Sequence, residues 1–158
     1  MARCRNGSKP SRPVHVLFVC YGNAARSQMA EALANHLGKE NVRAFSAGSH
    51  PLGMILPETY EVLQEKGLSL DGHWSKGIEK VPVAEMDVVV GMGSEVTCPV
   101  PAGFQGRLIE WNIPDPCARD LEFFRSVRDF IERHVKELLA GLETPRTGPR
   151  PANSAPGA

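Results

Sequence analysis

The chain has 158 residues, of which 42% are apolar, and this is enough for one domain with a sizeable core. Its 18 Lys and Arg side chains are matched by 18 Asp and Glu side chains, so the formal net charge is zero. This balance argues against the strong overall field of a nucleic-acid-binding protein or of a protein drawn to anionic membranes. We therefore expect no nucleic-acid or membrane partner, and any bound anion must be held locally.

The cysteines indicate the redox environment of the chain. None belongs to a CxxC pair or to a metal-like cluster, which argues against a zinc site and against a disulfide scaffold. They are Cys4, Cys20, Cys98 and Cys117. The basic amino terminus lacks the apolar run of a signal peptide, and no stretch has the length needed to cross a bilayer. We expect a cytoplasmic protein without a metal site.

Both ends of the chain have the composition of disordered tails. Residues 1–13 are rich in Arg, Lys, Ser and Pro, and residues 143–158 are rich in Pro, Gly and small polar residues. We expect one catalytic domain at residues 14–142, flanked by these two tails.

The first predicted strand and helix flank a short loop. Residues 14–20 (VHVLFVC) form an apolar run rich in β-branched side chains, which is typical of a strand buried on both faces. In residues 27–37 apolar side chains recur at helical spacing, and Gly38 follows at the position of a helix C-cap. The order is therefore strand, loop, helix.

The rest of the domain continues this alternation. The patterns predict strands at residues 42–48, 87–92 and 107–111, a helix at 57–66 stopped by Gly67, and a long amphipathic helix at 121–139. Strands that alternate with helices imply an α/β fold with a parallel sheet. Ligands in such folds bind beyond the carboxyl ends of the strands, which is where Cys20 lies.

The loop CYGNAARS has the features of an anion-binding site. Peptide N–H groups in a tight loop that enters a helix N-terminus form a nest for an anion, and the helix dipole adds to its positive potential. Gly22 and Asn23 are expected to let the loop curl, because both residue types tolerate unusual backbone angles. The residues predicted to bind the oxyanion are Tyr21, Gly22, Asn23, Ala24, Ala25 and Arg26.

Three side chains of this loop are candidates for catalysis. The planar guanidinium of Arg26 can form two parallel hydrogen bonds to a phosphate-like group. The same positive field is expected to favour the thiolate of Cys20, which is the nucleophilic form of cysteine. Ser27 is placed to donate a hydrogen bond to that sulfur.

Four segments of the chain resemble one known family. They are VLFVCYGNAARSQMAEAL (16–33), FSAG (45–48), GHWSK (72–76) and IPDP (113–116). With these segments the chain resembles the low-molecular-weight protein tyrosine phosphatase superfamily, which also contains the thiol-coupled arsenate reductases. The resemblance implies an α/β three-layer sandwich, in which a four-stranded parallel sheet has helices on both faces. Asn23, Glu31 and Ser46 match positions that in some reductases support the loop through a monovalent cation, and no other cofactor is implied.

The resemblance also implies roles for individual residues. Cys20 is then the nucleophile, Arg26 the clamp on the oxyanion, and Asp115 the general acid on a mobile loop. The sequence supports Asp115 independently, because Pro114 and Pro116 favour an extended loop that presents the carboxyl group beyond the sheet. Protonation of a leaving oxygen requires an acid with this reach.

Two departures separate the chain from the phosphatases of this family. Ala25 stands where their loop usually carries a second cysteine, and Cys117 and Ala118 stand where they usually carry aromatic residues that contact a phosphotyrosine ring. Residues 26–31 are more similar to the reductase branch, and so is the cysteine Cys98 before a proline.

The thiol relay of the reductases has only part of its pattern here. The reductases usually carry a further cysteine shortly before the position of Cys98, and here Ser94 or Met92 occupies that place. Cys98 is therefore either a second catalytic thiol or a loop thiol without a role in the reaction.

The leading hypothesis is arsenate reduction, in which Cys20 attacks arsenic, Asp115 assists the departure of an oxygen, and a second thiol such as Cys98 attacks the adduct. The reductant would be thioredoxin, glutaredoxin or a low-molecular-weight thiol. The alternative is a low-molecular-weight phosphatase that hydrolyses phosphomonoesters through a cysteinyl phosphate. A catalytically silent anion-binding module is a third hypothesis, but such a module needs neither a nucleophile nor an acid.

Overall fold

The computed structural model describes residues 12–93 and 100–143 of the chain. The predicted tails lie outside these ranges apart from Arg12, Pro13 and Glu143, and Cys98 lies outside them as well. The Arg12 guanidinium donates to both carboxylate oxygens of Asp87, at 3.1 and 3.0 Å. Arg12, the first residue that the structure describes, is therefore held against the domain.

Four parallel strands form the sheet at the centre of the domain. They are β1 (Val14–Cys20), β2 (Val42–Gly48), β3 (Val88–Gly91) and β4 (Arg107–Glu110), in the order β2-β1-β3-β4. The predicted four-stranded parallel sheet is confirmed, with the third and fourth strands shorter than their sequence patterns. The chain passes from β1 to one side of the sheet and then to the other, so the carboxyl end of β1 lies where the strand order switches.

Three α-helices cover one face of this sheet. The helices α1 (Arg26–Gly38), α2 (Pro57–Gln64) and α3 (Leu121–Glu143) share one apolar cluster with β1 and β3. On the opposite face, the apolar side chains of the sheet pack against the 3₁₀ helices Ile78–Lys80 and Val83–Glu85. The predicted three layers, with helices on both faces, are therefore present. Within the described ranges, no helix is long and apolar enough to span a bilayer.

The central strand β1 takes part in both apolar layers. Val16 and Phe18 are buried against the α-helices, whereas Leu17 and Val19 are buried in the cluster on the other face. This alternation follows from strand geometry, in which successive side chains point to opposite faces. Because β1 is held from both sides, the position of Cys20 at its end is fixed.

The ends of two helices test the predicted boundaries. The helix α2 ends before Gly67, as expected, whereas Gly38 is the last residue of α1 and not its cap. Lys39 takes the cap position instead, with a φ of 51°. A Cβ at Gly38 would lie 2.6 Å from the Cβ of Val42. The predicted C-cap is therefore wrong, because this glycine is required for close packing between α1 and β2.

Candidate active site

The loop between β1 and α1 turns its carbonyl oxygens away from its centre. Those of Cys20, Tyr21, Gly22 and Ala24 accept hydrogen bonds from the N–H groups of Ser49, His50, Leu52 and Leu56 at 2.7 to 3.0 Å, and that of Asn23 accepts from Gln28 at 3.3 Å. In a trans peptide the C=O and the following N–H point in opposite directions, and no described peptide bond is cis. The N–H groups of residues 21–25 therefore point toward the centre, which is the arrangement that an anion nest requires.

The sulfur of Cys20 lies among hydrogen-bond donors of this loop. The residue is 1% exposed, and the backbone N–H of Asn23 donates to its Sγ at 3.3 Å. The Oγ of Ser27 lies 2.9 Å from the same sulfur. Because Ser27 Oγ accepts from Nδ2 of Asn23 at 2.7 Å, its hydroxyl proton is available to Cys20. The predicted contact between Ser27 and Cys20 is therefore present, and donation by the Ser27 hydroxyl stays a prediction.

The bend of the loop is made at Asn23 and not at Gly22. Asn23 has a φ of 51°, in the left-handed region that asparagine tolerates better than most residues. Gly22 lies outside that region, and a Cβ there would make an ordinary contact of 3.6 Å with Leu52. The loop instead requires Gly48 at the end of β2, where a Cβ would lie 2.8 Å from the carbonyl oxygen of Tyr21. The expectation that Gly22 shapes the loop is wrong, because the close approach comes from the neighbouring strand.

The side chain of Asn23 is held by a full set of hydrogen bonds. Its amide nitrogen donates to the hydroxyl groups of Ser27 and Ser46 at 2.7 and 3.0 Å. Its amide oxygen accepts from the backbone N–H of Lys76 at 2.9 Å and from Nε2 of Gln28 at 3.0 Å. An asparagine amide offers two donors and two lone pairs. All four are used, so the left-handed backbone of this residue is held in place.

Behind Asn23, the side chains of Ser46, Glu31 and Lys76 form a second layer. The hydroxyl of Ser46 donates to Oε1 of Glu31 at 2.6 Å. The Lys76 ammonium donates to Ser46 Oγ at 3.4 Å and to the carbonyl oxygen of Trp74 at 3.1 Å. Burial lowers the pKa of Lys76 below its ordinary value, and the Glu31 carboxylate offsets part of this effect. A positive charge therefore lies within the support of the loop.

Arg26 connects the loop with the ends of two other strands. It is the first residue of α1 and is only 2% exposed. Its Nη1 donates to the carbonyl oxygens of Met92 and Ile113 at 2.8 and 3.1 Å, just after β3 and β4. Its Nη2 lies 3.5 Å from Oδ2 of Asp115. The guanidinium is therefore fixed at the carboxyl edge of the sheet.

Asp115 lies on the loop that follows β4, and about half of its side chain is exposed. One carboxylate oxygen faces Arg26, and the other accepts from the backbone N–H of Cys117 at 3.0 Å. The thiol of Cys117 is exposed on the same loop. The structure therefore brings Arg26 and Asp115 together beside the loop of Cys20, whereas Cys98 lies outside the described residues.

Several residues that support the loop were not predicted from the sequence. The imidazole Nδ1 of His73 lies 2.9 Å from Oε1 of Gln28, and the hydroxyl of Ser75 donates to the carbonyl oxygen of Gly22 at 3.0 Å. Lys76 follows in the same segment. This segment, GHWSK, is part of the family resemblance, so its run of polar side chains was the available signal.

Comparisons with known proteins match the chain to one family. The profile described as "Low molecular weight phosphotyrosine protein phosphatase" matches residues 15–147. A "Glutaredoxin arsenate reductase" of Synechocystis sp. is 33% identical over 128 residues, which are 80% of this chain and 97% of that protein. The solved structure of "An arsenate reductase in the phosphate binding state" matches with a TM-score of 0.74 at 32% identity, over 81% of this chain and 98% of that one.

An arsenate reductase from Archaeoglobus fulgidus has a similar fold. It matches with a TM-score of 0.68 at 32% identity, over 79% of this chain and 98% of that one. The family profile covers the loop of Cys20, and these relatives each cover about 80% of the chain. The chain therefore belongs to the low-molecular-weight phosphotyrosine protein phosphatase family.

Proposed function

We propose that the protein is an arsenate reductase in which Cys20 attacks an oxyanion held by the loop at residues 20–26. The observation that carries this proposal is the convergence of inward N–H groups, the Cys20 sulfur and the Arg26 guanidinium at one edge of the sheet. Arsenate is tetrahedral like phosphate, so a nest of amides beside a guanidinium suits it. The 33% identity to the glutaredoxin arsenate reductase of Synechocystis supports arsenate as the substrate.

The oxyanion is held by the backbone and by one side chain. The Arg26 guanidinium is assigned to the anion as a clamp, and the two carbonyl oxygens that accept from its Nη1 hold it in place. A guanidinium can form two parallel hydrogen bonds to an oxyanion, which fix the orientation of the anion as well as its charge. The N–H groups of Tyr21, Gly22, Asn23, Ala24 and Ala25 complete the nest, with the positive end of the α1 dipole behind them.

In the first step the thiolate of Cys20 attacks the arsenic atom of arsenate. An S–As bond forms and an As–O bond breaks, and Asp115 donates a proton to the departing oxygen, which leaves as water. The carboxyl group lies at the rim of the same site, 3.5 Å from Nη2 of Arg26. The adduct still contains arsenic(V), so no electrons have been transferred to arsenic at this point.

In the second step another thiolate attacks the sulfur of the Cys20 adduct. An S–S bond forms, the S–As bond breaks, and its electron pair remains on arsenic, which departs as arsenite. Two thiols are oxidised to one disulfide, and arsenic gains the two electrons. We assign the attacking thiol to Cys98 or to an external thiol. Thioredoxin, glutaredoxin or a low-molecular-weight thiol then reduces the disulfide.

This reaction requires a compartment that keeps thiols reduced. The four cysteines of the chain lack the pattern of a disulfide scaffold, which fits the cytoplasm. The proposed physiological role in that compartment is arsenic detoxification.

The second candidate function is hydrolysis of phosphomonoesters by the same Cys20. The phosphatase description of the family supports it. So does an exposed aromatic pair beside the loop, in which the rings of Tyr21 and His50 stack with centroids 4.6 Å apart. Such a pair can contact the ring of an aryl phosphate. In this reaction water hydrolyses the cysteinyl phosphate, and no second thiol is needed.

One assay separates the two functions. The purified protein is supplied with arsenate and, in turn, with glutathione plus glutaredoxin or with thioredoxin, and arsenite is quantified. Hydrolysis of an aryl phosphate is measured in parallel, with the Cys20→Ser variant as the control for both reactions. We expect Cys20-dependent arsenite formation with at least one reductant. Cys20-dependent hydrolysis without any arsenite would instead support the phosphatase.

A further inference from the structure

Two of the three residues that match a monovalent-cation site in the family, Asn23 and Ser46, have no oxygen lone pairs left for a metal ion. The amide oxygen of Asn23 accepts from Lys76 and Gln28. The hydroxyl of Ser46 donates to Glu31 and accepts from Asn23 and Lys76. Each of these oxygens has two lone pairs. Because hard cations bind through oxygen lone pairs, Asn23 and Ser46 do not fit as ligands, which leaves only Glu31 of the three matching residues.

Lys76 supplies a positive charge at the same place. Its ammonium lies 3.4 Å from Ser46 Oγ and 3.1 Å from the carbonyl oxygen of Trp74, and the Glu31 carboxylate attracts it. The backbone N–H of Lys76 also donates to the amide oxygen of Asn23. Lys76 therefore contacts the side chains behind the nucleophile loop at two points, through its ammonium and through its backbone N–H.

We propose that Lys76 is a built-in cation that replaces a bound monovalent ion and positions the nucleophile loop. The path runs from Lys76 to Ser46, from Ser46 to the Asn23 amide, and from that amide to Ser27, whose Oγ lies 2.9 Å from the Cys20 sulfur. Lys76 is thus a positioning residue, since it contacts the side chains of Asn23 and Ser46 and acts on the Cys20 sulfur only through them. The inference rests on the proposed function of this loop as an oxyanion site.

The charge on Lys76 is kept at a cost to folding. Burial lowers the pKa of Lys76, so the unfolded chain binds its proton more tightly than the folded chain does. Charge on Lys76 therefore opposes folding below the lowered pKa, and this penalty is relieved as the pH rises toward 10.5.

The test compares Lys76→Met with Lys80→Met, which removes an exposed lysine from a neighbouring 3₁₀ helix. Two properties are measured, the dissociation constant of inorganic phosphate and the pH dependence of iodoacetamide labelling at Cys20, resolved by peptide mass spectrometry. Both are measured in potassium and in choline salts at a constant ionic strength of about 0.1 M, so that screening is unchanged. Melting temperatures confirm that the variants are folded.

We expect wild type and Lys80→Met to bind phosphate equally well in both salts. Lys76→Met should bind phosphate about tenfold more weakly in choline, the loss expected for one charged hydrogen bond, and recover part of this in potassium. Labelling of Cys20 should shift to higher pH in the same variant. Should Lys76→Met not fold, Lys76→Gln, which keeps a polar group without the charge, is expected to show the same pattern.

Three results would overturn the inference. They are a wild-type affinity that rises with potassium, a Lys76 variant that matches Lys80→Met, and a loss of affinity that potassium does not restore. Absence of phosphate binding in wild type would overturn both this inference and the oxyanion site on which it rests. Phosphate binding with no arsenite formation would contradict only the proposed function, because neither measurement here requires turnover.

Discussion

Replacement of Gly48 by alanine should impair the site from a position outside the nucleophile loop. A Cβ at residue 48 would lie 2.8 Å from the carbonyl oxygen of Tyr21, 2.9 Å from the backbone nitrogen of Asn23 and 3.0 Å from its Cβ. All three contacts are with backbone or with Cβ, which cannot rotate away. The loop itself must therefore move relative to β2.

The size of this movement can be estimated from the same distances. Ordinary contacts begin at 3.4 Å, so the loop must shift by about 0.6 Å, and a misplacement of about 1 Å can cost 100-fold in rate. We expect Gly48→Ala to lower kcat/KM by about 10- to 100-fold. Overpacking of this kind should also cost about 1–3 kcal/mol of unfolding free energy.

The matched control is Gly22→Ala, within the loop itself. Its Cβ would meet only ordinary contacts, the nearest at 3.6 Å, and the backbone of Gly22 lies outside the left-handed region. We expect its kcat/KM to stay close to that of wild type in aryl phosphate hydrolysis and in arsenite formation. The unfolding free energy of both variants is measured by urea titration. If Gly48→Ala is as active as Gly22→Ala, or if Gly22→Ala is the more damaging change, the account of the loop shape is wrong.

Three further substitutions test the assigned roles. Arg26→Lys should lower turnover by about 100- to 1,000-fold, because a point charge cannot replace two parallel hydrogen bonds or both contacts to Met92 and Ile113; near-normal steady-state rates would reject the clamp. Asp115→Asn should lower the rate of alkyl phosphate hydrolysis by about 100-fold or more and the rate on activated aryl phosphates far less, and its pH profile should lose the basic limb. Equal losses of rate on both substrates would indicate a positioning role. Cys98→Ser should block arsenite formation driven by thioredoxin but spare aryl phosphate hydrolysis, and peptide mapping after one turnover of wild type should find Cys20 joined to Cys98. A bridge from Cys20 to the exposed Cys117 or to an external thiol, with normal turnover of Cys98→Ser, would exclude the relay through Cys98.

The sheet and the nucleophile loop were predictable because their signals are local. An apolar β-branched run followed by CYGNAARS defines β1, the loop and the start of α1 within a short stretch of sequence. The alternation of later strands and helices then leaves few topologies for a parallel sheet. The hydrogen bond between Cys20 and Ser27 follows from the same short stretch.

The support of the loop could not be predicted in this way, because it comes from distant parts of the chain. Gly48 looks like an ordinary strand end in the sequence, and only the pairing of β2 with β1 brings it against Asn23. Lys76 approaches Ser46 and Glu31 from a segment without regular secondary structure. Gly22 and Asn23 were both expected to let the loop curl, whereas the left-handed backbone is at Asn23 alone of the two, with its side chain fully bonded.

The central claim is that Cys20 is the nucleophile in a loop that binds the oxyanion mainly through its backbone. The most direct measurement compares Cys20→Ser with wild type in arsenite formation, aryl phosphate hydrolysis and inorganic phosphate binding. We predict that both turnovers are abolished, while phosphate still binds with an affinity within about tenfold of wild type, because the inward N–H groups and Arg26 remain. Substantial turnover of either substrate by folded Cys20→Ser would contradict the claim.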